Sequence, residues 1–164
     1  MTRLAAIGVT VAIALGVGSL FLFGSGAFDQ NGDRQKREFA LIKSGLSPSI
    51  VPILNQSCAD CHSTLVHRPW YAKLPVVSKL IDDDVLSGRQ FMDLTKWSGY
   101  TRGRKLGYLA AIQYSIGTGH MPPARYWLVH PYARLSRQEA DSVRDWATRE
   151  IRGLRPPRVA GHAN

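Results

Sequence analysis

Ser57-Cys58-Ala59-Asp60-Cys61-His62-Ser63 is the stretch whose reading decides the fold. It holds the only two cysteines of the 164 residues, in the pattern Cys-x-x-Cys-His. Two thiols three residues apart on one helical turn can form thioethers to the two vinyl groups along one porphyrin edge, which is the attachment pattern of c-type haem. His62 stands at the i+4 position from Cys58 and so shares its helical face. Its imidazole can then reach the iron. The motif predicts one covalent haem c, held through Cys58 and Cys61, with His62 as the first iron ligand.

A disulfide, a redox dithiol or half of a zinc site would use the same cysteine pair. A tetrahedral zinc site needs about four protein ligands. No second cysteine pair exists, and His67, His120, His130 and His162 show no regular ligand spacing. A thioredoxin-like dithiol expects a strand–helix setting, whereas the flanking sequence reads as helical.

The second iron ligand is sought among Met1, Met92 and Met121, the only methionines. Met121 lies in Gly117-Thr118-Gly119-His120-Met121-Pro122-Pro123, a loop by its glycines and prolines. The two prolines stiffen the loop beside the thioether, and Met121 is the expected ligand. His120 and His130 remain the alternatives. A Met/His pair fills both axial positions, raises the reduction potential and suits electron transfer. Met92 is expected to fill the core, and Asp60 to be exposed. Trp70, Tyr71, Trp97, Tyr126 and Trp127 are candidates for a haem wall or for ordinary core. Arg68, Arg89 and Arg125 are candidates for pairing with haem propionates.

Leu4 to Phe23 carries no charge and is rich in Ala, Val, Ile, Leu and Gly. That length suffices for one transmembrane helix. A cleaved signal peptide is the competing reading, given Arg3 and the small residues Ser25-Gly26-Ala27. Arg34, Lys36 and Arg37 follow the span, so the charge count alone mildly favours the opposite orientation. The haem motif argues for export, because cytochromes c mature on the outer face of the energy-coupling membrane. The net charge of +9 is spread along the chain. It suits docking onto acidic redox partners or a solvated basic surface. No nucleic-acid motif accompanies it, and no small-molecule substrate is expected.

The expected organisation is a cytoplasmic start at 1–3, an anchor at 4–23, a linker and short helical arm at 24–46, a haem domain at 47–153 and a basic tail at 154–164. Ser47-Pro48 predicts a helix start leading to the cysteines, with Pro52 bending or delaying it. Val76 to Leu86 predicts a helix with Val77, Leu80, Ile81 and Val85 inward and Gly88 near its end. Lys105 to Ile116 predicts another, with Leu106, Leu109, Ala110 and Ile112 or Gln113 inward. Ser136-Arg137-Gln138-Glu139 is a capping box opening a last helix with Ala140, Val143, Trp146, Ala147 and Ile151 on one stripe. The expected fold is all-α: a small helical domain around one haem, preceded by one transmembrane helix.

Further blocks follow the motif: Pro69-Trp70-Tyr71, Pro75-Val76, Gly88-Arg89, Met121-Pro122-Pro123-Ala124-Arg125-Tyr126, His130-Pro131, Ala133 and Leu135-Ser136, ending near Trp146. Together they make residues 57–146 resemble the haem-binding domain family of small monohaem c-type cytochromes. The resemblance implies a cytochrome-c-like helical fold with His62 proximal and Met121 distal. Leu65-Val66-His67-Arg68 departs from it before Pro-Trp-Tyr.

The functional expectation is a membrane-anchored monohaem c-type cytochrome carrying single electrons on the periplasmic side of the inner membrane, and not an enzyme. The alternatives are a haem enzyme or gas sensor with an exchangeable sixth ligand, and an electron-transfer subunit of a larger respiratory or photosynthetic complex.

Overall fold

A computed structural model of the protein describes residues 32–156. The expected anchor at 4–23 and its flanks lie outside the described residues, as does the tail from 157. Among the described residues no helix is long and apolar enough to cross a membrane. The chain divides into two units, Met1–Lys36 and Arg37–Asn164. The second carries the motif and is described below.

Every regular element among the described residues is helical. Residues 37–43 are helical and form α1. Then come α2 (Val51–Ser57), α3 (Ala59–His62), α4 (Pro75–Phe91), α5 (Arg102–Gly117), α6 (Ala124–Val129) and α7 (Arg137–Leu154). Short 3-10 helices at Trp70–Lys73, Leu94–Gly99 and Pro131–Ala133 lie between them.

Helix α2 starts at Val51, later than Ser47-Pro48 suggested. The Ser47 hydroxyl pairs with the Ser49 hydroxyl at 2.9 Å instead of capping. Pro52 sits in the first helical turn, where its missing N–H costs nothing. Helix α5 begins at Arg102 because the Thr101 hydroxyl accepts from the Arg104 N–H at 3.4 Å. The capping box of α7 is complete: Ser136 Oγ accepts from the Glu139 N–H, and the Glu139 carboxylate accepts from the Ser136 N–H at 2.8 Å.

The core is built from Leu41, Leu46, Ile50, Val51, Leu54, Leu94, Trp97, Leu109, Val143, Trp146 and Ala147, all buried. Helices α5 and α7 form the most extensive helix pair. Leu109 and Val143 are both fully buried in that core, and Gln113 Nε2 donates to Thr148 Oγ1 at 2.7 Å. Trp97 lies tilted against Trp146 at 6.0 Å between ring centres. Two residues expected inward are exposed, Leu80 and Ala110.

Helix α4 runs on to Phe91, past Gly88. That glycine is not a stop. A Cβ built on it would meet the Cys61 carbonyl oxygen at 2.6 Å and the Cys61 Cβ at 3.1 Å. Glycine is required there because the backbone of α4 lies directly on the motif helix. The contact sets the distance between α3 and α4.

Candidate haem-binding site

Cys58 is at once the last cap of α2 and the first cap of α3. Its N–H donates to the Leu54 carbonyl at 2.9 Å, and its carbonyl accepts from the His62 N–H at 3.0 Å. Cys58, Cys61 and His62 therefore stand on one short helical turn, as their spacing suggested. Ser63 then turns extended (φ −139°, ψ 165°) and ends it.

This turn lines a cavity of about 480 Å³. Cys58, Asp60, Cys61 and His62 form one wall, and Asp84, Ser87, Gly88 and Phe91 of α4 the next. Ile112, Ser115 and Ile116 of α5 face it, and His120, Met121, Pro122 and Pro123 continue the lining. Leu54, Met92 and Leu94 make the lining mainly apolar. All four expected cofactor-binding residues, Cys58, Cys61, His62 and Met121, line this one cavity.

The His62 ring is oriented by backbone. Its Nδ1 lies 3.0 Å from the Met92 carbonyl oxygen. A carbonyl only accepts, so Nδ1 is the protonated nitrogen, and in the neutral ring the lone pair is left on Nε2. That is the tautomer a metal-binding histidine needs, with its other nitrogen held by an outer partner. Met92 is buried, as its composition suggested, but its backbone role was not foreseen.

Met121 is placed by the end of α5. Gly119 has φ +71°, a conformation that favours glycine. The Gly119 N–H donates to the Ile116 carbonyl at 3.2 Å and the His120 N–H to the Ser115 carbonyl at 2.9 Å. This is a Schellman cap. The Met121 N–H shares the Ser115 carbonyl at 3.3 Å, so the cap delivers Met121 to the cavity. Its side chain remains 45 % exposed.

Of the alternative ligands, His120 also lines the cavity, stacked on Tyr114 with Nδ1 2.7 Å from Thr118 Oγ1. His130 is not part of the lining. Its Nε2 pairs with the Tyr71 hydroxyl, its Nδ1 lies 3.1 Å from the Tyr126 carbonyl, and its ring stacks on Tyr126 at 4.4 Å. Both nitrogens are occupied within the fold.

Asp60 overturns the expectation of an exposed residue. Its side chain is 13 % exposed. It accepts from Arg37 Nη1 and from the Tyr126 hydroxyl. Arg37 is itself buried, and its Nε donates to Asn55 Oδ1 at 2.6 Å. Asp60 and Tyr126 both line the cavity. Burial, with the Asp60 charge next, pushes the Tyr126 hydroxyl far above its ordinary range. Two of the three arginines considered for propionates have partners in this fold. Arg68 pairs with Asp82, and Arg125 with Asp84 on the cavity lining. Of the aromatics, Tyr126 lines the cavity, Trp97 is core, and Trp127 lies under Arg134 at 4.8 Å.

Loss of water pushes the Cys58 thiol up to about 12, with the Cys61 charge adding to it. Cys61 rises to about 11, again chiefly through burial, then through Asp84 and Asp60, with Arg125 opposing. Burial thus disfavours the free thiolate on which a redox dithiol depends. Among the described residues no cluster of three or more His, Cys, Asp or Glu side chains could hold a metal ion. Ser57 Oγ, on the cavity lining, is buried with no hydrogen-bond partner. An apolar chamber with one oriented imidazole, one thioether and an orphaned hydroxyl fits a large flat metal-bearing cofactor with polar edges.

No curated protein and no solved structure matches the chain. A family model, the haem-binding domain, matches residues 25–149. That match runs over well more than half of the sequence and takes in every residue of the cavity lining, so the chain belongs to the haem-binding domain family.

Proposed function

We propose that the protein is a membrane-anchored monohaem c-type cytochrome that carries single electrons. The observation carrying this reading is the His62 ring, held through Nδ1 on the Met92 carbonyl in the cavity that Cys58, Cys61 and Met121 also line. When bound, haem supplies a one-electron iron couple. Cys58 and Cys61 would hold it as thioethers, His62 Nε2 and Met121 Sδ would ligate its iron, and Leu54, Ile112 and Ile116 would keep water from it. No residue of the cavity is assigned an acid, base or nucleophile role, because electron transfer requires none. The apolar segment 4–23 tethers the domain to the inner membrane, with the haem domain in the periplasm. The +9 charge favours partners with an acidic docking face. Tethering raises the effective concentration at a membrane donor or acceptor.

A second reading, a haem enzyme or gas sensor, has one observation in its favour. Met121 is 45 % exposed and sits outside regular structure, as an exchangeable ligand would. Optical spectra of the purified haem protein with added carbon monoxide separate the two. The carrier shows a sulfur-to-iron band in the near infrared when oxidised and no rapid carbon monoxide binding when reduced. Met121→Ala abolishes that band and lowers the potential. Rapid binding by the unaltered protein selects the enzyme or sensor, and a band that survives Met121→Ala removes Met121 from the iron.

A further inference from the structure

The peptide unit between Met92 and Asp93 is hydrogen-bonded at both ends. Its carbonyl accepts from His62 Nδ1 at 3.0 Å. Its N–H donates to the Tyr100 hydroxyl oxygen at 2.9 Å. The unit is also anchored from the Asp93 side chain, whose Oδ1 accepts from the Thr95 N–H at 3.0 Å and from Thr95 Oγ1 at 2.6 Å. Tyr100 in turn packs edge-on to Tyr108 at 4.9 Å and to Trp97 at 6.4 Å. Its hydroxyl is thereby held in place seven residues along the chain from the amide it serves.

We propose that Tyr100 is a positioning residue that tunes His62 through the Met92–Asp93 peptide. The inference rests on the reading that His62 ligates haem iron. Hydrogen bonds in a chain polarise one another. An N–H that donates to Tyr100 leaves more electron density on the Met92 oxygen. That oxygen then draws harder on the Nδ1 proton, and the imidazole becomes a stronger electron donor at Nε2. A stronger donor favours the ferric state. Tyr100 therefore lowers the potential that the Met/His pair would otherwise set.

Tyr100→Phe keeps both ring contacts and removes only the acceptor. It is expected to shift the ferrous-to-ferric ratio at a fixed potential about two- to fivefold toward ferrous, or roughly 20–40 mV at 59 mV per tenfold. Exchange of the His62 Nδ1 proton, followed by NMR, should quicken in the same variant. Tyr108→Phe removes a hydroxyl from the same aromatic cluster without touching the peptide, and should leave both readouts unchanged. An unmoved potential in Tyr100→Phe, or an equal shift in Tyr108→Phe, defeats the tuning role while the haem spectrum stands. Absence of any haem spectrum in the unaltered protein defeats the haem reading itself and with it this inference.

Discussion

At the scale of single residues, the site depends on atoms that carry no chemistry of their own. Gly88 is the clearest. In an open helix, Gly→Ala gains about 1 kcal/mol of helix propensity. Here the added Cβ meets the Cys61 carbonyl at 2.6 Å, and backbone cannot swing aside as a side chain can. Gly88→Ala is therefore expected to destabilise by about 1–3 kcal/mol, the usual cost of overpacking. Urea unfolding measures it, and haem content after expression should fall in parallel. An increase in stability would mean that α4 shifts freely off the motif. The Met92 carbonyl belongs with Gly88: it selects the tautomer of His62, yet no side chain advertises it.

At the scale of elements, signals whose partners lie close in the chain are the most legible, although Ser47 does not cap α2 and the sequence marks Gly119 only as part of a loop. The turn of Cys58 to His62, the Gly119 cap that presents Met121, and the capping box of α7 each lie within a few residues of chain. The box also gives a pH-dependent expectation. Bonds from the Ser136 hydroxyl and N–H hold Glu139 below its ordinary value of 4.5. A depressed carboxyl contributes stability that is present above the unfolded value and lost as pH falls through the folded one. Ser136→Ala should cost about 1 kcal/mol at neutral pH. The gap in Tm between variant and parent should narrow as pH drops below the glutamate range, and a gap independent of pH would show that Glu139 takes no part. Other features were less legible. Periodicity marks a stripe on α4 but not how far its neighbours reach, so Leu80 reads as core and is exposed. A glycine near a helix end looks the same in sequence whether it stops the helix or admits another backbone.

At the scale of the whole molecule, contacts between distant parts of the chain close the fold around the cavity, and these were not readable from sequence. Asp60 meets Arg37 across 23 positions and Tyr126 across 66. Nothing in the spacing marks any of the three. Yet the cluster joins α1, the motif turn and α6, and Asp60 and Tyr126 both line the cavity. The Arg37 and Asp60 side chains are only 7 % and 13 % exposed, so water screens them little. Removing one partner of such a pair leaves a buried charge and typically costs about 3–5 kcal/mol, whereas removing both costs far less. Arg37→Met and Asp60→Asn should each unfold at markedly lower urea than the parent haem protein. The double variant should be more stable than the two single losses add up to. Tyr126→Phe, which removes one bond to a charged acceptor, should cost about 1.5–3 kcal/mol. Strictly additive losses across Arg37 and Asp60 would mean that the two side chains act independently. In that case the three elements are held together by the apolar core alone, and the cluster contributes only to the polarity of the cavity wall.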